Sequence, residues 1–525
     1  MQEKQEAAAR VDSPNDRKRI ALLNGACGQA DRIRICGQVV DVPVSEDQKS
    51  EVWEPFFGLP RSLINSIRPM QDLTMRAVRR PRLQIEILGV KPREFKQSEE
   101  QGYPVLFASE QFTANDDSFF AHEISSDLQP GSYVVRVMLR GIDSLRQSAS
   151  DLAYIRNADS LILKKDIAIG YGKLRVLGAD FDGLLLTSDI DQTFLATPIH
   201  SRQGLVETLF QTPDAKHAIP GLPEFYQQVA QTRDPHVPML FISASPHFFR
   251  RTLAAVFSHY DIEFAGLHLK YLLSTFDSIL KKVTDTVFNI NEFLGQGLGP
   301  SFERTLKFFG SSIQSLFDQI AYKLTTLLEN RLMQPGGARE VLMGDNTEGD
   351  YFIFTLYQYL LLGRLTGSEL ENYLYRLNFL DREALTRDAA RRIAKLVDQN
   401  LETHGPRNSV VDVWINLCPA PAADQAQMLE RIGQSLPEEL AQSFQTGDPE
   451  IVRPIACKAG VGFALAAWDS GILNEDQVKK IVSRALGETY MDETFDREGI
   501  RAILEGFQPR NAELPAGREL AERIL

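Results

Sequence analysis

A chain of 525 residues is too long for one hydrophobic core, and at roughly 100–200 residues per domain it divides into two to four units. A formal net charge of −13 argues against general nucleic-acid binding and against broad attraction to an anionic membrane surface. Cys27, Cys36, Cys418 and Cys457 show neither CxxC spacing nor clustered histidines, so free thiols in a reducing compartment are expected rather than zinc or a disulfide framework.

Residues 1–19 read as a frayed polar tail without an apolar stretch, so no secretory signal is expected. From about 20 to 165 the signals are β. The stretch 34–43 (RICGQVVDVP) is strand-like up to its proline. Leu83, Ile85 and Ile87 alternate with polar residues. After the Pro130–Gly131 turn, Tyr133, Val135, Val137 and Leu139 alternate again. Period-two patterns between turn clusters predict a small β-sandwich, and it carries no catalytic constellation.

From about 170 to 362, apolar strands alternate with helices. Leu184–Ser188 leads into Asp189, 237–242 into Ser243, and 341–343 into Gly344 and Asp345. Between them, Leu222, Phe225, Tyr226 and Val229 have helical spacing, 248–260 reads as a helix, and Leu324, Leu327 and Leu328 share one helical face. Continuous apolar strands of this kind predict a parallel sheet covered on both faces, with ligands at the carboxyl ends of its strands. The apolar stretch 351–362 is too short to span a membrane and reads as a buried helix. Residues 276–318 are rich in phenylalanine, interleaved with Lys281, Lys282, Arg304 and Lys307. They suit a helical hairpin, packed on the domain or covering the site at a lipid interface. From 363 to 525 the chain reads as a helical domain, with helices near 368–378, 382–400 and 477–486. Its Asp/Gly clusters at 469–471 and 492–499 lack the ligand pattern of a calcium loop.

Four pieces carry chemistry. Asp189, straight after a strand, is placed as a carboxylate nucleophile, and Asp191 two residues on can exchange a proton with a leaving group. Ser243 offers a hydroxyl to a phosphoryl oxygen. Lys323, on or before the helix leading to the last strand, supplies a point charge. The stretch 344–350 (GDNTEGD) brings acids that can hold Mg²⁺ beside phosphate oxygens and water. Asp180 and Asp182 also stand two apart, but Leu184 follows where a hydroxyl is needed, so 180–183 reads as a turn.

In this order the segments resemble the haloacid dehalogenase superfamily, and within it the actin-patch-protein type of phosphatidate phosphatase. The resemblance rests on DIDQT (189–193), IPGLPEFY (219–226), FISASP (241–246), YKLTTLLENRL (322–332) and GDNTEGD (344–350), with GQVVDVP (37–43) as a weaker N-terminal match. It implies a haloacid dehalogenase-type, Rossmann-like α/β catalytic domain over 170–362 preceded by a β-rich region, matched weakly over 20–165 by the N-terminal β-sandwich; the C-terminal α-helical domain lies outside the resemblance. It implies Asp189 as nucleophile and magnesium ligand, and Asp191 as general acid/base whose backbone carbonyl also meets the metal. Thr193 would support the loop and Ser243, with Ser245 as second candidate, would hold the phosphoryl group. Lys323 would be the basic residue, Asp345 a magnesium ligand, and Asp350 would assist through water. Gln192 replaces the family's third Asp, with its side chain expected to face away. His247 follows SASP where an aromatic is common, which alters the expected substrate contacts. Arg202, beside His200 and Ser201, is a candidate for an anionic group of the substrate or an ordinary loop residue.

The expected activity is Mg²⁺-dependent hydrolysis of a phosphomonoester through an aspartyl-phosphate, with phosphatidate at a membrane surface as the substrate the resemblance favours. A soluble phosphomonoesterase acting on a metabolite or phosphoprotein, and a non-catalytic membrane-associated scaffold, stay open beside it. The expected location is cytoplasmic, with or without peripheral membrane attachment. No nucleic-acid partner and no transmembrane segment are expected.

Overall fold

The computed structural model describes residues 17–43, 76–78, 80–142, 167–196, 217–233, 236–270, 319–347, 349–377, 385–418, 424–490 and 493–525. The phenylalanine-rich stretch 276–318 and residues His200, Ser201 and Arg202 lie outside them.

The N-terminal part is β. Its strands are β1 (Arg17–Leu23), β2 (Ala26–Gln29), β3 (Ile33–Pro43), β4 (Arg76–Ala77), β5 (Pro81–Leu88), β6 (Val105–Ala108), β7 (Phe112–Thr113), β8 (Phe119–Ile124), β9 (Gly131–Ile142) and β10 (Ile167–Leu177). One sheet runs β1-β3-β4 with β8 on β3, and the other runs β2-β10-β9-β5-β6 with β7 on β5. Alternate residues of both sheets meet in one core: Ala21, Leu23, Ile33, Ile35 and Val39 pack with Leu83, Ile85, Ile87, Val135, Val137 and Val176. This is the burial that period-two alternation predicts. The β region is longer than 20–165, because β1 begins at Arg17 and β10 pairs with β9 through Val176 and with β2 through Leu177.

A six-stranded parallel sheet follows, in the order β13-β12-β11-β14-β15-β16. Its strands are β11 (Leu184–Ser188), β12 (Met239–Pro246), β13 (Gly266–Lys270), β14 (Arg339–Asp345), β15 (Val410–Asn416) and β16 (Ile455–Cys457). The chain moves outward one way from β11 to β13 and the other way from β14 to β16. The reversal therefore lies between β11 and β14, where open α/β sheets bind ligands.

Helices cover both faces. They are α1 (Leu222–Ala230), α2 (Arg250–His259), α3 (Gln319–Met333), α4 (Asp350–Leu361), α5 (Gly367–Arg376), α6 (Arg387–His404), α7 (Gln425–Ser435), α8 (Glu438–Thr446), α9 (Ala459–Asp469), α10 (Glu475–Ala485), α11 (Arg497–Gly506) and α12 (Gly517–Ile524). Val341 and Met343 of β14 face a core built with α1, α2 and α9 to α12. Leu342 between them faces a second core built with α3 to α8. Successive residues of one strand thus enter opposite layers, which is why the strand reads as a continuous apolar run.

Residues 363–525 are not purely helical: β15 and β16 extend the sheet well past position 362, and helices α5 to α12 pack into its two cores. The reason is local. Asp412 interrupts the apolar run of β15, and β16 is three residues long, so neither carries a clear strand pattern. The β region docks on the α/β part through its 24–34 segment. Leu267 N donates to Asn24 O at 2.6 Å, Gln29 Nε2 to Gln334 O at 3.0 Å, and Arg34 pairs with Glu329 at 3.0 Å.

Candidate active site

The site forms where β11, β12 and β14 end. Asp189 follows β11 and is 1 % exposed. Its N–H donates to Met343 O of the neighbouring β14 at 2.8 Å, so the sheet ladder itself fixes where the carboxylate begins. Beneath it, Ser188 Oγ lies 2.7 Å from Tyr226 OH and donates to Asp189 O at 2.7 Å. Tyr226 is the tyrosine of the IPGLPEFY stretch, wedged on α1 among Phe194, Phe225 and Phe241. Burial pushes its hydroxyl well above the ordinary tyrosine range, so it remains a neutral hydrogen-bonding group.

Lys323 projects from α3 between two carboxylates. Its Nζ lies 2.8 Å from Asp189 Oδ1 and 2.5 Å from Asp350 Oδ1. Asp350 opens α4, in the first turn where the helix dipole favours negative charge, and its Oδ2 accepts from Asp345 N at 3.2 Å. Asp345 ends β14, and its Oδ1 accepts from Thr347 N and Thr347 Oγ1. A carboxylate oxygen from each of Asp189, Asp345 and Asp350 lies within 4.8 Å of the others, and all three residues are buried.

The turn between β14 and α4 needs glycine. A Cβ on Gly344 would sit 2.4 Å from the Asp350 side chain, and Gly349 has φ 92°, in the left-handed region.

Asp191 stands on the other side of the 189–193 loop. Its Oδ2 accepts from Ser243 Oγ and from Ser245 Oγ, each at 2.9 Å, and Ser245 N donates to Ser243 Oγ at 3.0 Å. Both serines of the FISASP stretch therefore hold Asp191. Thr193 Oγ1 reaches Asp189 Oδ2 at a long 3.5 Å. The structure thus gathers Asp189, Asp191, Thr193, Ser243, Ser245, Lys323, Asp345 and Asp350 around the sheet reversal.

Other residues sit elsewhere. His247, expected among the substrate contacts, is fully buried, with Nε2 3.2 Å from Asn24 Oδ1 of the β region. Burial and then Arg250 hold its imidazole well below the usual histidine range, so it is a neutral group of the domain seam. Asp182 is exposed, and 178–181 forms a turn closed by Phe181 N to Gly178 O at 3.0 Å. The four cysteines are free, and burial pushes the Cys27 and Cys36 thiols up to about 12. Gln192 is buried and bonded to residues of the C-terminal part, a connection its motif does not announce.

Residues 184–296 match the family model described as phosphatidate phosphatase APP1, catalytic domain. Over this segment the chain is similar to that phosphatidate phosphatase family. The matched stretch contains Asp189, Asp191, Thr193, Ser243 and Ser245, and it ends before Lys323, Asp345 and Asp350. It is a minority of the chain, and no curated protein matches the sequence. Among the described residues, no helix is long and apolar enough to cross a membrane.

Proposed function

We propose that this protein is a Mg²⁺-dependent phosphatase of the haloacid dehalogenase type that hydrolyses a phosphorylated lipid, phosphatidate, to diacylglycerol and phosphate. The observation that carries the reading is the meeting of Asp189 and Asp191, from the phosphatidate-phosphatase segment, with Lys323, Asp345 and Asp350 from outside it. A matched segment that recruits the remaining acids and the base from elsewhere in the chain is what an intact site needs.

The donor set fits a divalent cation. Among the described residues, Asp189, Asp345 and Asp350 bring three buried carboxylate oxygens within 4.8 Å of one another, beside the Lys323 ammonium. Buried carboxylates this close repel one another unless a cation lies among them, and oxygen donors of this kind suit magnesium. Asp189, Asp345 and the Asp191 carbonyl would hold the ion, with Asp350 acting on it directly or through water. The ion would supply charge neutralisation for the phosphoryl group.

In the first step the Asp189 carboxylate attacks phosphorus, and the bond from phosphorus to the ester oxygen breaks. Asp191 gives its proton to the departing alkoxide. In the second step Asp191, now ionised, takes a proton from water as the water oxygen attacks the same phosphorus. The bond to Asp189 breaks, phosphate leaves, and both carboxyl groups return to their starting states. Lys323 orients the Asp189 carboxylate for attack, and Ser243 and Ser245 direct Asp191.

The test is phosphate release from phosphatidate in mixed micelles, run beside soluble phosphomonoesters, with Mg²⁺ or with EDTA. Mg²⁺-dependent release that favours the micellar substrate supports the reading. Release that favours a soluble ester shifts the substrate class, and no release from any of them contradicts it.

A further inference from the structure

The groups that hold the two catalytic loops in place come from the far end of the chain. Gln192 lies between Asp191 and Thr193 with φ 57°, a left-handed conformation that costs a residue bearing a side chain. Something must hold it there. Its carbonyl accepts from Asn416 Nδ2 at 2.7 Å, and its side-chain Oε1 accepts from Tyr490 OH at 3.1 Å. Burial pushes the Tyr490 hydroxyl well above its ordinary range, so it stays protonated and able to donate.

Asn416 grips the second loop as well. It ends β15 directly opposite Asp345, and its backbone carbonyl accepts from Asn346 N at 3.2 Å. Its Oδ1 accepts from Ala459 N at 3.1 Å. An amide nitrogen facing a carbonyl and an amide oxygen facing an N–H leave one consistent orientation for this side chain. Two residues on, Cys418 N donates to Asn346 Oδ1 at 2.9 Å. Gln192 and Asn416 are fully buried, Asn346 is 2 % exposed and Tyr490 6 %.

We infer that Asn416, with Tyr490 as a second donor, is a positioning residue that clamps the Asp189–Thr193 loop to the turn after Asp345. The role rests on the proposed phosphatase reading, and it makes the C-terminal part a component of the active site. The physical link is short. The backbone at Gln192 sets how Asp191 meets Ser243 and Ser245, and how Thr193 approaches Asp189. A loop released toward a right-handed conformation misaligns both carboxylates, which lowers the rate of the chemical step more than the binding of a lipid held by other surfaces.

Two variants of the full-length chain test this. Asn416→Asp keeps the shape but turns an acceptor toward the Gln192 carbonyl, and Tyr490→Phe keeps the ring and removes the hydroxyl. Each is compared with wild type in micellar phosphate release and in amide hydrogen exchange read by mass spectrometry. We expect kcat to fall about 30-fold for Asn416→Asp and about 5-fold for Tyr490→Phe, with KM within about twofold. Amides of 189–195 should exchange about tenfold faster in both variants, while those of β5, β9 and β12 keep wild-type rates. Should Asn416→Asp fail to fold, Tyr490→Phe carries the test alone. Unchanged exchange at 189–195, or acceleration spread evenly over the sheets, overturns the clamp. Wild type that releases no phosphate overturns the phosphatase reading instead, and the local exchange pattern then decides the clamp by itself.

Discussion

Lys323 is buried between the Asp189 and Asp350 carboxylates, with no more than 2 % of any of the three side chains exposed. A buried charge stripped of its partner is far costlier than the pair is favourable. Lys323→Met should therefore destabilise the fold by about 3 kcal/mol or more, read as a lower urea midpoint without Mg²⁺. Because the Lys323 ammonium is then gone from beside the three carboxylates, added Mg²⁺ should raise the variant's midpoint more than wild type's; an equal or smaller rise counts against a metal at these acids. The acids and the lysine were legible in the sequence because their order and strand context are distinctive. Asn416 and Tyr490 were not. They act on Gln192 from positions 224 and 298 residues away, through single hydrogen bonds that leave no periodicity or motif.

The turn joining β14 to α4 decides whether Asp345 and Asp350 can face each other. Gly344→Ala places a methyl group 2.4 Å from the Asp350 side chain, so the carboxylate must swing out of the site. Overpacking of this sort costs roughly 1–3 kcal/mol. The displaced Asp350 should also weaken Mg²⁺ binding in calorimetric titration, and wild-type affinity would show that Asp350 is not near the ion. α4 itself was readable, since its apolar run is buried along its whole length. β15 was hidden by Asp412, a buried acid that pairs with Arg510 at 3.0 Å. That partner is supplied by a segment beyond α11, so tertiary pairing overrides the local pattern that a strand would otherwise display.

Across the whole molecule, the β region and the α/β part meet at a seam that holds histidines neutral. His268 of β13 lies 3.4 Å from Asn330 of α3. Burial first, then Arg250 and Arg34, lower its pKa from 6.5 to about 3. His404 is lowered to about 4, by burial first and then by Arg331, and meets Arg331 O at 3.0 Å. Each is depressed in the fold, so the unfolded chain binds more protons between the two values. Stability is full above about pH 6.5 and is lost as the pH falls toward 4 and 3. The melting temperature should fall by roughly 5 °C between pH 7 and pH 5. His268→Gln should reduce that fall, and a variant with the wild-type pH dependence would remove the seam as its cause. The two-sheet β region was visible as alternation, whereas its docking was not, because Asn24, Gln29 and Arg34 look like ordinary strand-end residues until Leu267, Gln334 and Glu329 are placed against them.

The central claim is that Asp189 carries the phosphoryl group. The direct measurement is acid quenching of the enzyme during turnover of phosphatidate with Mg²⁺, followed by peptide mass spectrometry. The account expects the mass of one phosphoryl group on the peptide containing Asp189. It expects that label to disappear in Asp189→Asn, together with phosphate release below about a thousandth of wild type. Phosphate release by Asp189→Asn near the wild-type rate, or a phosphoryl group found on another residue, would contradict it.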